Sequence, residues 1–300
     1  MKRYIIILLA LMLGLALQAE VHSNAGKYGY KFLDIPVSPV SMALAGRGIH
    51  SPANSSAWLT QPAATCMQNA KSAAVSHSAW IAETAYTTAW YSNARRSSHL
   101  GLAWRNLNYG DIEKRDETGF LIGHYQPVDI AVNGNYAHRL NPYLYAGVNL
   151  GVIYQKLDTA SSLAMATDLG FTALPPLKDS AVSLAARNLG VANKTDLEAA
   201  KLPFSFDVDM YKGFELGQQH LGLEAGVTSA VDSDLRYTLS AELKLVERLY
   251  LRGGYKLNFD AESFTAGMGI ELSSFVIDYG FAAMDKGLGD VHSFGLRYNF

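Results

Sequence analysis

Side chains in the C-terminal stretch of the chain, residues 249–300, alternate between large apolar and small or polar types with a period of two. In the last segment the apolar positions are Phe294, Leu296, Tyr298 and Phe300. A period of two is the signature of a β-strand with two unlike faces. In a soluble sandwich the apolar face packs into a core, whereas in an outer-membrane barrel it faces lipid and the polar face lines the lumen.

The same alternation extends back to residue 71 and predicts a series of strands separated by short connections. The predicted strands span 73–80, 84–92, 98–108, 127–139, 142–157, 160–172, 179–189, 202–215, 219–231, 236–247, 249–259, 263–272, 274–283 and 290–300. Most of them have the length that a tilted strand needs to cross the hydrocarbon layer. Because no apolar run beyond Ala19 approaches the length of a transmembrane helix, a membrane-bound mature chain must be a barrel.

The lengths of the predicted connections test the strand count independently. Bacterial outer-membrane barrels place short turns at the periplasmic rim and long loops outside. The tight turns at 140–142, 247–248 and 272–274 all fall on the rim of the C-terminus, and the long connections 109–126 and 190–201 fall on the opposite rim. The predicted fold class is therefore all-β, a transmembrane antiparallel β-barrel of about 14 strands. The four C-terminal apolar positions named above form the predicted barrel-assembly signal, since many such barrels end on an aromatic residue.

Residues 1–19 have the features of a signal peptide. Lys2 and Arg3 supply the positive start, residues 4–17 form an apolar run, and cleavage is expected after Ala19. The alternative is a membrane anchor, which its length disfavours, because a transmembrane helix needs about 20 apolar residues. An export signal followed by a barrel over residues 71–300 predicts a location in the bacterial outer membrane.

Residues 20–70 differ from the rest, because their apolar residues do not alternate cleanly and prolines interrupt them. We interpret this stretch as an N-terminal plug-like segment, folded inside or beneath the barrel. A disordered leader is the alternative, but the large apolar side chains of this stretch need burial. The candidate plug residues are Phe32, Leu33, Trp58 and Pro62.

Composition argues against several classes of function. The formal charge of −2 provides no field for nucleic acid, so no nucleic-acid partner is expected. The single Cys66 cannot form an internal disulfide, and structural zinc needs several closely spaced thiolates or imidazoles. The sequence also has no nucleophile elbow and no phosphate-binding glycine loop before a helix. We therefore predict a non-enzymatic protein without a catalytic, cofactor or metal site, surrounded by outer-membrane lipid.

Charged residues cluster in the longest predicted outer loop. The cluster is compatible with a solvated loop or with a docking surface for another exported protein, since long loops on rigid scaffolds carry binding. The candidate docking residues are Tyr109, Asp111, Lys114, Arg115, Asp116 and Glu117. Further charged residues fall on the lumen face of the strands, where they either pair to fill the interior or line a polar conduit.

Several short motifs, taken in order, resemble the PorV/PorQ family of outer-membrane proteins within the wider group of FadL-like barrels. The Phe32-Leu33 pair precedes an alanine- and glycine-rich turn at 42–46, and Gln61-Pro62-Ala63 stands where the family usually has Asn-Pro-Ala. The motifs of the barrel that carry the resemblance are Tyr109-Gly110, Asp116-Glu117-Thr118-Gly119, Asp168-Leu169-Gly170, Asn188-Leu189-Gly190, Leu202-Pro203-Phe204 and Arg252-Gly253-Gly254-Tyr255.

The resemblance implies a component of the type IX protein secretion system that serves surface docking and attachment of secreted proteins. Its implied partners are other secretion-system proteins, including a sortase-like surface protein. The wider FadL-like group implies instead the uptake of hydrophobic small molecules, and a purely structural barrel is a third reading. A transporter predicts an apolar pocket bounded by Phe32, Leu33 and Trp58, whereas a docking protein predicts a filled lumen and an ordered rim over 109–126.

Overall fold

The structure, a computed structural model, describes residues 22–68, 70–95, 97–193 and 200–300. Its strands are β1 (Lys71–Ala79), β2 (Ala85–Arg95), β3 (Ser98–Asn108), β4 (Ile112–Arg115), β5 (Leu121–Tyr125), β6 (Val128–Asn141), β7 (Leu144–Lys156), β8 (Ser161–Ala173), β9 (Ser180–Ala192), β10 (Ser205–Leu216), β11 (Gln219–Ala230), β12 (Arg236–Val246), β13 (Leu249–Leu257), β14 (Glu262–Leu272), β15 (Phe275–Met284) and β16 (Val291–Asn299). Fourteen of them close into one antiparallel barrel, and β4 and β5 form a separate hairpin. The predicted fold class is confirmed.

The barrel closes between its first and last strands, where Val75 of β1 lies opposite Leu296 of β16. β3 pairs with β6 across the excursion of the β4–β5 hairpin. The short turns after β6, β12 and β14 lie on the rim of the C-terminus, as the connection lengths predict. One expectation was wrong: the stretch 109–126, predicted without strands, contains the hairpin, because its backbone groups pair with each other beyond the barrel rim.

The outer surface of the barrel is an apolar band. Ile277 on β15 is 50% exposed, whereas the next residue, Asp278, is 5% exposed and faces the lumen. The same alternation runs along the other barrel strands, so large apolar side chains cover the outside. An exposed apolar surface of this extent is stable only against another apolar medium, and around a closed barrel that medium is lipid.

The N-terminal segment, residues 22–68, is called the plug below, since the barrel encloses it. Its helices are short: a 3₁₀ turn at Lys31–Asp34, α1 at Pro39–Ala43, and 3₁₀ turns at Ala57–Leu59 and Ala64–Met67. Ser38 caps α1, because its Oγ accepts from Ser41 N at 3.2 Å while Ser41 Oγ accepts from Ser38 N at 3.1 Å. Over the residues that the structure describes, no helix is long and apolar enough to cross a membrane. The predicted signal peptide, residues 1–19, lies outside the described residues.

Candidate functional site: the plugged lumen

The plug runs through the lumen from the outer rim to the periplasmic rim. At the outer end Tyr28 forms a backbone bridge with Lys201, and the Tyr30 hydroxyl contacts Ser162 Oγ at the start of β8. At the other end Gln61 reaches the periplasmic ends of β8 and β9, where its Nε2 donates to Phe171 O at 3.1 Å and to Leu184 O at 2.7 Å. The plug therefore contacts the wall along its whole path.

Glycines on the lumen face let the backbone of the plug approach the wall. A Cβ added at Gly280 would lie 2.5 Å from Pro39 O, and one added at Gly147 would overlap the carbonyl of Pro62. Neither position tolerates a side chain without displacing the plug. The predicted plug residue Pro62 is thus packed directly against β7, and Gln61 beside it fixes the turn by accepting from Ala63 N at 3.0 Å.

An outer apolar cluster joins the plug to one side of the lumen. It consists of the plug residues Tyr30, Phe32, Leu33 and Ile35 and the wall residues Tyr86, Leu107, Ala131, Ile153, Ala164, Ala166 and Leu202. The wall residues come mainly from the outer halves of β2, β3, β6, β7 and β8. Lumens of outer-membrane barrels are ordinarily polar. An apolar lumen wall at this depth therefore requires an apolar occupant, and here the plug supplies it.

The structure separates the predicted plug residues into different groups. Phe32 and Leu33 belong to the outer apolar cluster, whereas Trp58 packs in a second cluster with Val37 and Trp90. Trp58 is fully buried, so it does not border a cavity shared with the other two. The pocket expected between these three residues is not formed.

Among the residues that the structure describes, the wall beside the outer apolar cluster is paired on one side only. The last pair between β9 and β10 is Arg187 with Ser205, but β9 continues along β8 as far as Ala192. A bulge starts this extension at Asn188, whose φ is 59° and whose Nδ2 donates to Pro203 O at 3.0 Å. The extension, residues 188–192, thus presents a free edge of the described strands next to an apolar part of the lumen.

The opposite side of the lumen is charged, and Arg47 of the plug lies at its centre. Arg47 Nη2 donates to Asp207 Oδ1 at 3.0 Å, and Nε lies 3.4 Å from Asp209 Oδ1. Arg187 Nε donates to the second oxygen of Asp207 at 2.7 Å. Burial disfavours the charged guanidinium, and the carboxylates of Asp207 and Asp209 compensate its charge.

Sequence reasoning missed Arg47, which directly follows the alanine- and glycine-rich turn at 42–46 and was not named as a candidate residue. The available signal was its isolation, since it is the only Lys, Arg, Asp or Glu between Asp34 and Lys71. A lone charge in a segment that must be buried needs a partner of opposite sign. The partners lie on β10, which only the fold brings next to the turn.

Arg252, Glu242 and Asp278 form a second charged group along the lumen wall. Arg252 Nε donates to Glu242 Oε2 at 2.7 Å, and its Nη1 donates to Asp278 Oδ1 at 2.8 Å. The plug completes this network, because Ser51 Oγ donates to Glu242 and Ile49 N donates to Glu224 Oε1 at 3.2 Å. Of the two alternatives for these charges, the structure shows pairing rather than an open polar conduit.

The candidate docking residues lie in or beside the ordered outer hairpin. The Tyr109 hydroxyl donates to Asp129 Oδ2 at 2.8 Å, and Lys114 pairs with Asp158 on the next outer loop. The remaining partners are internal to the hairpin: Asp111 pairs with His124, Arg115 pairs with Glu113, Asp116 caps its turn, and Glu117 is exposed. Side-chain donation by Thr118 and backbone donation by Phe120 lower the pKa of Asp116.

The predicted assembly signal occupies the lipid face at the end of the barrel. Phe294, Leu296, Tyr298 and Phe300 are all exposed on the outside. Tyr298 packs on Phe275 of the neighbouring strand and on Phe300, with ring centroids 5.0 Å apart in both pairs. These contacts form an aromatic group at the periplasmic rim, where barrel girdles lie.

Known proteins share this architecture without close sequence similarity. No family model and no curated protein matches the chain. Among solved structures it is similar to the toluene transporter TbuX of Ralstonia pickettii, with a TM-score of 0.62 and 12% identity over 89% of this chain and 98% of that one. It is also similar to the monoaromatic hydrocarbon channel CymD, with a TM-score of 0.66 and 13% identity over 89% and 98%.

A FadL homologue of Pseudomonas aeruginosa aligns with a TM-score of 0.57 and 11% identity, over 88% of this chain and 98% of that one. These similarities extend over nearly the whole of each chain, and they establish a shared fold. Together with the apolar band around a closed wall, they decide where the protein resides. It is a barrel of the bacterial outer membrane.

Proposed function

We propose that this barrel lets small apolar molecules cross the outer membrane. The observation that carries the proposal is the outer apolar cluster, which lies beside the free edge of β9. Contact with an apolar lumen wall does not stabilise a polar molecule, whereas an apolar molecule is stabilised there because its surface is removed from water. The solved channels and transporters with this fold include ones for toluene and monoaromatic hydrocarbons, which supports the same class of solute here.

Passage requires the outer part of the plug to yield, because its side chains fill the apolar region. The polar anchors of that part are the Tyr28–Lys201 bridge, the Tyr30 contact with Ser162, the bond from Asn24 Nδ2 to Val231 O at 3.1 Å, and the half-exposed Lys31, whose Nζ lies 2.7 Å from Asp34 and 2.9 Å from Asp232. The inner part is held by the glycine contacts and by Arg47. We therefore expect movement to be confined to about the first fifteen residues of the plug, since exposed ion pairs contribute little.

Uptake by cells tests the proposal. In a strain deleted for this gene, uptake of labelled toluene at low concentration should fall and should return with the intact gene. Ala192→Trp, at the edge of the outer apolar cluster, should lower uptake towards the level of the deletion, because the indole occupies the path. Ala241→Trp on the lipid face of β12 is the matched control and should leave uptake unchanged. Equal uptake in the deletion and the intact strain would refute the proposal.

A second candidate function is surface docking in protein secretion, as the PorV/PorQ resemblance implies. The observation that favours it is the outer hairpin, which is ordered and carries three consecutive exposed apolar residues, Phe120, Leu121 and Ile122. Exposed apolar patches on a rigid support are typical of interaction sites. The similarities to solved structures favour the channel and lend no support to this role.

Replacing residues 111–125 by a short Gly-Ser linker separates the two functions. Loss of surface attachment of secreted proteins with normal toluene uptake would support docking by the hairpin. Normal attachment in the same variant would eliminate it and leave the channel as the function of the barrel.

A further inference from the structure

A cavity lies at the periplasmic rim, below the charged part of the lumen and away from the outer apolar cluster. Its volume is about 630 Å³, within the usual range of small-molecule sites. Ile49, His50, Pro52 and Ala64 of the plug form its roof. The connection between β8 and β9, with the periplasmic ends of β10 and β11, forms its walls.

Most of the lining is apolar, with Leu174, Pro175, Leu177 and Ala181 facing the plug residues. The polar groups are held in place by their own partners. Asp179 Oδ2 lies 2.7 Å from His220 Nε2, and Asp179 O accepts from Gly213 N at 2.8 Å. A Cβ at position 213 would overlap the Asp179 carboxylate, so glycine at this position makes the arrangement possible.

Two polar groups that line the cavity have no hydrogen-bond partner among the described residues: the buried Nδ1 of His50 and the hydroxyl of Tyr211. The Tyr211 ring lies over Gly222, where a Cβ would come within 2.9 Å of it, and it is tilted against the His50 ring with centroids 5.6 Å apart. These contacts position the ring, yet its hydroxyl makes no hydrogen bond to any residue that the structure describes. A ligand in the cavity can therefore use this hydroxyl without displacing another bond.

The charges around the cavity define the class of ligand. Among the described lining residues there is no lysine or arginine. His50 Nε2 lies 3.0 Å from Ser183 Oγ, and burial lowers the pKa of His50 to about 4, so the ring is neutral at neutral pH. Asp179, the acidic residue of the lining, is paired with His220 through Oδ2. A bound anion would have no cation to compensate it, and a carboxylate is therefore disfavoured.

We propose that this cavity is a binding site for a neutral, mainly apolar molecule that carries one hydrogen-bonding group, of the chemical class of phenols. The ring of the ligand packs between Ile49, Leu174 and Leu177, and its hydroxyl bonds to Tyr211 Oη. The site is separate from the outer apolar cluster, and its existence does not depend on passage through the barrel.

The test is a fluorine NMR titration of the purified protein in detergent, with empty micelles as the blank. para-Fluorophenol should bind saturably, and Tyr211→Phe should weaken this binding about threefold to tenfold, the effect of one hydrogen bond. Fluorobenzene, which lacks the hydroxyl, should bind equally to both proteins. para-Fluorobenzoate should show no saturable binding. Tyr255→Phe on the lipid face is the matched control and should bind para-fluorophenol like the unaltered protein.

Three outcomes would overturn the proposal: partition of para-fluorophenol equal to that in empty micelles, unchanged affinity in Tyr211→Phe, or equally tight binding of para-fluorobenzoate. Heat-dependent gel migration confirms that each variant is a folded barrel. Toluene uptake by cells with Tyr211→Phe distinguishes this site from the proposed channel, because that uptake is expected to be normal whether or not the cavity binds phenols.

Discussion

Replacing Arg47 by methionine tests whether a buried ion pair holds the plug in the barrel. Methionine keeps much of the side-chain length and removes the charge. Asp207 retains its bond from Arg187 at 2.7 Å, but the fully buried Asp209 loses the guanidinium that lies 3.4 Å from its Oδ1. Removing one partner of a buried pair costs about 3–5 kcal/mol. Because Arg187 still compensates one carboxylate, we expect the lower end, about 3 kcal/mol.

The assay is urea unfolding in detergent micelles, followed by tryptophan fluorescence, since Trp58 is fully buried between plug and wall. Arg115→Met is the matched control. In its pair with Glu113 the two side chains are 54% and 51% exposed, so its removal should cost less than about 1 kcal/mol. Adding Asp209→Asn to Arg47→Met should recover part of the lost stability, because the double variant contains no uncompensated charge at this position.

The reasoning would be refuted if the free energy of unfolding of Arg47→Met lay within about 1 kcal/mol of that of the unaltered protein, because a loss of that size is typical of an exposed ion pair. It would also fail if the double variant were less stable than Arg47→Met. Either result would mean that water or a rearranged neighbour compensates Asp209, and that the glycine contacts alone seat the plug.

Three further predictions concern the wall, the seating of the plug and the effect of pH. Ile277→Lys should lower the free energy of unfolding in lipid vesicles by about 2–4 kcal/mol, because it directs a charge into the hydrocarbon layer, whereas Ile277→Leu should be nearly neutral. Gly280→Ala should raise the susceptibility of the plug to added protease, since a Cβ lies 2.5 Å from Pro39 O, whereas Gly134→Ala, with nothing within 4 Å, should not. For His50, burial lowers the folded-state pKa to about 4, so the unfolded chain takes up a proton that the folded chain does not. Stability measured by urea unfolding should therefore fall as the pH is lowered from about 6.5 towards 4, and His50→Gln should reduce that loss; an equal loss in both proteins would contradict it.

The barrel could be predicted from the sequence because its signal is local. In a strand the side chains of successive residues point to opposite faces, so the apolar run through Phe294, Leu296 and Tyr298 identifies both a strand and its lipid face. The rims could be assigned for a similar reason, since connection length alone distinguishes short periplasmic turns from long outer loops. The β4–β5 hairpin escaped prediction because the stretch from Ile112 to Tyr125 is short, largely polar and stabilised by its own pairing.

The candidate sites could be predicted only in part. The aliphatic and aromatic content of residues 20–70 showed that this segment needs burial. It did not show which of its residues pack against each other. Phe32 and Trp58 are both apolar, and yet they pack in separate clusters, because each is matched to a different part of the wall. The rim cavity was not predicted at all, since His50, Asp179 and Tyr211 come from three distant segments with no shared motif.

The sequence by itself determined the construction of the barrel wall: its fourteen strands, the two faces of each strand and the rim on which each connection lies. These properties depend on neighbours two residues apart and on chain length. Only the tertiary structure decided how the lumen is filled and which carboxylates pair with Arg47. It also decided where, among the described residues, the pairing of β9 with β10 ends and where a cavity remains. Those features depend on contacts between residues as far apart in the chain as Arg47 and Asp207, which only the closed barrel brings together.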